Sequence, residues 1–180
     1  MTDFFNNYFK KLDEANFSIS QNEMILVSKM ILKSNSLGGK VIIVGNGGSA
    51  AIASHVSVDL TKAAEIRSVN FNESSIITCF ANDYGYEKWV SKAIEFYAEI
   101  EDIVILISSS GNSLNIINGA KQCKEMQIPI ITFSGFSKKN PLKELGDVNF
   151  WVDSDQYNTI EIVHQTWILS IVDYIINQKS

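Results

Sequence analysis

Apolar residues recur at helical spacing at the start of the chain. Phe4, Phe5, Tyr8, Phe9 and Leu12 fall on one side of a helical period, which predicts an amphipathic helix over residues 3–15. After a break at NFSIS, Ser20 and Glu23 form an S-x-x-E capping box. It predicts a second helix running to about Leu37 and stopped by Gly38-Gly39. From Lys40 the pattern changes to short runs rich in Val and Ile that do not alternate with polar residues. VIIVG (41–45), SIITCF (75–80), IVILIS (103–108), PIITFS (129–134) and VNFWV (148–152) read as strands covered on both faces. Helical segments separate them at 49–63, 84–98, 112–126, about 140–146, and 157–177.

Strand and helix in alternation predict an α/β fold: one three-layer αβα sandwich around a five-stranded parallel sheet. Residues 1–38 form a helical segment ahead of the sheet, and 39–180 the α/β domain. The two leading helices have no evident place in the central layers, so their apolar faces are expected to join subunits of a homo-oligomer. The competing reading is that both helices cover their own sheet.

Composition narrows the function. A formal net charge of −5 and a hydrophobic content of 46% fit a globular protein and argue against nucleic acid as a direct partner. An anionic small molecule is still compatible, because local donors can outweigh a modest overall charge. No run of eighteen apolar residues is present to span a membrane, and charged and amide residues interrupt the N-terminal apolar run of a would-be signal peptide. A cytoplasmic location is expected. Cys79 and Cys123 lack metal-like spacing and are expected to be buried free thiols.

In an open α/β sheet, ligands bind beyond the carboxyl ends of the strands. Two loops fall there: Gly45-Asn46-Gly47-Gly48-Ser49 and Ser108-Ser109-Ser110-Gly111-Asn112-Ser113. Each precedes a helix whose first N–H groups are free, and glycine and serine add close approach and hydroxyl donors. Turn-making alone also favours these residue types, so the weight rests on finding both loops in one domain. A Walker loop is excluded, since neither loop carries its lysine. Gly45 to Ala50 fits the GxGxxA dinucleotide pattern, but Glu65 precedes the next apolar run instead of closing a strand. No nucleotide cofactor is expected.

GNGGSAAIASH (45–55), ANDYGYE (81–87), ISSSGNS (107–113) and IEIVH (160–164), in that order, resemble the sugar-isomerase (SIS) domain family, and within it the phosphoheptose isomerases. The resemblance implies a flavodoxin-like sheet and a cytoplasmic homotetramer with active sites between subunits. It implies interconversion of sedoheptulose 7-phosphate and D-glycero-D-manno-heptose 7-phosphate, feeding lipopolysaccharide or capsule synthesis. By position, Ser108, Ser109, Ser110 and Ser113 would hold the phosphate. Asn46, Gly47, Ser49, Asp83 and Asn158 would contact the sugar.

Aldose–ketose isomerisation moves a proton between adjacent carbons through an enediol, and needs a base and an acid. The family carries a histidine and, four residues on, a glutamate base; the matching residues are His55 and Asp59. On the last helix the family has a glutamine, a histidine three residues on and an acid histidine five beyond; here they are Glu161, His164 and Leu169. Asp59 and Glu161 are thus the expected catalytic residues, and His164 is expected to be structural. Some members bind zinc at the outer four of these positions, so His55, Asp59 and Glu161 are candidate ligands for Zn(2+). Because Leu169 cannot donate a proton, a second reading stays open: a non-catalytic SIS module that binds a phosphosugar or a protein.

Overall fold

The structure, a computed structural model, describes residues 3–179. Its center is a five-stranded parallel sheet in the order β2-β1-β3-β4-β5, formed by β1 (Val41–Gly45), β2 (Ser68–Asn70), β3 (Ile103–Ser108), β4 (Ile130–Ser134) and β5 (Val148–Trp151). β1, β3 and β4 are buried along their whole length, as their unbroken Val/Ile runs require. Val41 and Ile43 face one side, with α2 (Gln21–Ser36), α3 (Gly48–Lys62) and α7 (Tyr157–Lys179). Ile42 and Val44 face the other, with α5 (Trp89–Tyr97) and α6 (Leu114–Glu125) and the inner face of α4 (Ser74–Tyr84). The three-layer expectation holds.

Three expected elements change. SIITCF is not a strand; it lies in α4, and the true second strand is the short edge segment SVN just before it. The Glu73 carboxylate accepts from the N–H groups of Ser75 (2.9 Å) and Ile76 (3.1 Å), so the backbone is capped into a helix. Ile76, Ile77 and Phe80 then pack inward from that helix. Residues 140–146 form turns instead of a helix. Buried Asn140 holds them, donating from Nδ2 to the Ser137 carbonyl and to Ser134 Oγ while Lys143 N–H bonds its Oδ1. The helix expected over 84–98 is shortened to α5, because Gly85 at φ +90 starts a 3-10 turn over Tyr86–Lys88.

The leading helices behave differently from each other. α2 opens at the capping box, with Ser20 Oγ accepting from Glu23 N–H, and buries Val27 and Ile31 on its own sheet. It therefore does cover its own domain. α1 (Asp3–Asn16) rests against α7, buries no residue fully, and leaves Phe4, Phe5 and Phe9 exposed. Cys123 is buried, and burial pushes its thiol up to about 12; Cys79, contrary to expectation, is exposed because α4 turns it outward.

One buried charge closes the sheet's amino-terminal edge. Asp102, only 1% exposed, accepts from Lys40 N–H, Lys40 Nζ and Glu99 N–H at 2.7–2.8 Å. Asp102→Ala would strand these donors and is expected to cost about 3 kcal/mol in urea unfolding. A cost below about 1 kcal/mol would show that the cluster is not structural.

Candidate active site

The strand order reverses between β1 and β3. α3 leaves β1 toward one face and α6 leaves β3 toward the other, so a crevice opens between the two strand ends. The glycine loop and the serine loop form its walls.

The serine loop is held open at the amino end of α6. Ser108 Oγ donates to Ser113 Oγ at 3.1 Å, and Asn112 folds back on Ser110 through two hydrogen bonds. Gly111 sits at φ +67 against Asn140, where any Cβ would collide with the Asn140 amide. Ser113 is the N-cap residue of α6, yet its hydroxyl caps no backbone N–H. The first turn of α6 thus keeps its donors for a ligand. Ser109 behaves differently. Its Oγ lies 3.4 Å from Glu161 Oε1, so it supports a carboxylate and faces away from the α6 terminus.

Glu161 reaches across from α7 and lies against Gly48 in the first turn of α3, where a Cβ would collide with Oε2. A negative charge is favorable at that helix end. Gly47, at φ +54, is the uncapped N-cap residue of α3, and Ser49 is buried one step inside. Asn46 forms a reciprocal pair with Asn115 on α6: each Nδ2 donates to the other's Oδ1, at 3.0 and 2.9 Å. The Tyr86 hydroxyl donates to Asn46 Oδ1 at 3.2 Å. Asn72 brackets Gly45, donating to its carbonyl at 2.7 Å and accepting from its N–H at 3.4 Å. Among the described residues, no lysine or arginine side chain bonds either loop.

His55 and Asp59 do meet, as their i, i+4 spacing requires. His55 Nε2 lies 3.3 Å from Asp59 Oδ2. On its other side His55 Nδ1 accepts from Gln165 Nε2 at 3.0 Å, so the proton is on Nε2, aimed at Asp59. Glu161 does not join them. It lies one helical turn before Gln165 and faces Gly48 instead. The expected metal set is therefore not assembled: among the described residues, no group of three His, Cys, Asp or Glu side chains is placed to hold a metal ion. The donors present do not fit zinc within this chain.

The remaining candidates fall elsewhere. Asp83 ends α4, where it accepts from Asn82 Nδ2 and borders a groove with Phe80 and Phe96; it makes no bond to either loop. Asn158 opens α7 beside Phe4 and Tyr8. Leu169 is half-buried against the core on the α3 side of the sheet, so the family's acid position is taken by packing. Asn115, Tyr86 and Gln165 are additions by the structure. Asn115 could have been suspected as a polar residue two positions past Ser113, at the buried start of a helix.

Comparison with known proteins now decides the family. A family model described as SIS domain matches residues 4–135. This chain belongs to the SIS domain family. A relative from Thermoplasma acidophilum named "Probable phosphoheptose isomerase" is 35% identical over 179 residues, covering 96% of this chain and 97% of that protein. The phosphoheptose isomerase of Aliarcobacter butzleri is 31% identical, covering 89% of this chain and 87% of its own. The solved phosphoheptose isomerase of Neisseria gonorrhoeae superimposes with a TM-score of 0.88 at 28% identity, covering 97% of this chain and 96% of that one. No helix among the described residues is long and apolar enough to cross a membrane.

His164 is structural in this SIS domain. It is fully buried, its Nε2–H donates to the Ser134 carbonyl at 3.1 Å, and Nδ1 has no partner. Burial pushes its pKa from 6.5 down to about 4. Unfolding restores the higher value, so the unfolded state binds the extra proton between the two. Its contribution is full above about pH 6.5 and is lost as pH falls toward 4, about 3 kcal/mol in all. His164→Gln can keep the bond to Ser134 without titrating. The stability difference between wild type and this variant is expected to shift by more than 1 kcal/mol between pH 7 and pH 5, read from urea midpoints. A difference that does not change with pH would refute the assignment.

Proposed function

We propose that this chain is a phosphosugar isomerase of the phosphoheptose isomerase type, interconverting sedoheptulose 7-phosphate and D-glycero-D-manno-heptose 7-phosphate. The observation that carries the reading is the crevice itself: an uncapped α6 terminus lined by serine hydroxyls, at the switch point of an SIS sheet. The relatives' names supply the substrate class. The phosphate would accept from the α6 N–H groups and from Ser108, Ser110 and Ser113. Asn46, Gly47 and Ser49 would border the sugar, with Glu161 between the loops at the carbonyl end.

Proton transfer between C1 and C2 requires a base over one face. Asp59 fits that role chemically, with His55 Nε2–H holding its carboxylate in place. It cannot serve the crevice of its own chain. Gly48 and Asp59 are separated by eleven residues of α3, about 16 Å, farther than the chain of a heptose phosphate anchored at the serine loop would reach. The reading therefore calls for a homo-oligomer, proposed as a tetramer, in which Asp59 serves a neighboring crevice. The second reading, a module that binds phosphosugar without turnover, is favored by one observation: Leu169 is packed where the family's acid would be.

Sedoheptulose 7-phosphate incubated with the protein in deuterated water should exchange a C1 proton and yield the aldose. Asp59→Asn should lower that exchange by about 10³-fold with binding retained. Saturable binding without exchange in the wild type would establish the second reading. Absence of binding would overturn both.

A further inference from the structure

We infer that Asn115 is a positioning residue that fixes the Asn46 amide as a hydrogen-bond donor toward the sugar. The inference rests on the proposed phosphosugar site but adds a residue and a polarity to it. A side-chain amide has two N–H donors and two acceptor lone pairs. Asn46 Oδ1 accepts from both Asn115 Nδ2 and Tyr86 Oη, so its acceptor capacity is filled. Asn46 Nδ2 gives one hydrogen to Asn115 Oδ1, which leaves one N–H unassigned.

Asn46 is half-buried at the crevice wall, next to Gly47. Asn115 lies behind it, only 2% exposed, in the first turn of α6. The reciprocal pair couples the two amides, so neither can turn over alone. If the Asn46 amide turned over, its nitrogen would face the Asn115 nitrogen and its oxygen the Asn115 oxygen, a doubly unfavorable contact. In the orientation the structure shows, the atom that Asn46 leaves for the ligand is a donor, and Asn115 and the Tyr86 hydroxyl hold it there. The matching ligand group is an acceptor: a carbonyl or hydroxyl oxygen of the sugar. The same pair ties the β1 loop to α6 across the switch point, so the glycine loop and the phosphate end keep one spacing.

The test uses Asn115→Asp, which is nearly isosteric but accepts without donating. Its charge would weaken any anion, so the reading is a ratio: the affinity for sedoheptulose 7-phosphate divided by that for inorganic phosphate, both by calorimetry on the full chain. The ratio is expected to fall about tenfold in the variant. It should recover as pH is lowered and the buried carboxyl takes up a proton, because a carboxylic acid gives and accepts as the amide does. The wild-type ratio should not show this recovery. Tyr86→Phe should lower the ratio by less, about two- to threefold. A ratio unchanged in Asn115→Asp, or one lowered without recovery at low pH, overturns the inference.

A ligand-free reading keeps the two proposals separable. The Asn46 side-chain N–H₂ signals in a ¹⁵N spectrum should show one protected hydrogen that is kept in Asn115→Asp, which still accepts, and lost in Asn115→Leu, which cannot. Signals that do not change in Asn115→Leu refute the pairing. Absence of sugar-phosphate binding in the wild type, with these signals behaving as expected, would sink the proposed function and leave the Asn46–Asn115 pairing standing.

Discussion

The structure depends on what a parallel sheet does at its switch point. Two neighboring strands end side by side, and the helices that follow diverge to opposite faces. Their first N–H groups have no partners within the helices and point into the same gap. A gap of this kind attracts negative charge without any cationic side chain, and among the described residues none bonds the loops. Backbone dipoles fixed by the fold need no reorganization when an anion arrives.

The two helix ends are not equivalent. The Glu161 carboxylate lies at the start of α3, supported by Ser109, while α6 is left uncapped. One end already has a negative charge beside it and the other is free for an ester. A dianion at the α3 terminus would meet a carboxylate at close range, and one at the α6 terminus would meet hydroxyls. The division gives the crevice a direction, phosphate toward α6 and the remaining sugar toward Glu161. Asn46 and Asn115 join the two walls and hold that geometry.

Much of this was legible in the chain. β1, β3 and β4 are covered on both faces, so their composition declares them. β2 escaped detection because it is a three-residue edge strand, half-exposed and two-thirds polar, with no apolar run to mark it. The apolar run that follows was misread because a short run fits a strand or a buried helix face equally well. The Glu73 cap was the signal that separates them. The serine loop was readable as a local motif. The bonds that give the site its polarity were not, because they join residues far apart in sequence: Ser109 to Glu161, Asn46 to Asn115, His55 to Gln165. Spacing placed His55 beside Asp59, but only the packing of α7 on α3 decides that Gln165, and not Glu161, completes the group.

The most direct measurement is a crystal soaked in sedoheptulose 7-phosphate. The account predicts phosphate density at the first turn of α6, within hydrogen-bond distance of the Ser110 and Ser113 hydroxyls and the N–H groups beyond them, with no lysine or arginine drawn in. Density for the ester lodged against a basic surface patch, with the turn at Ser113 empty, would contradict it.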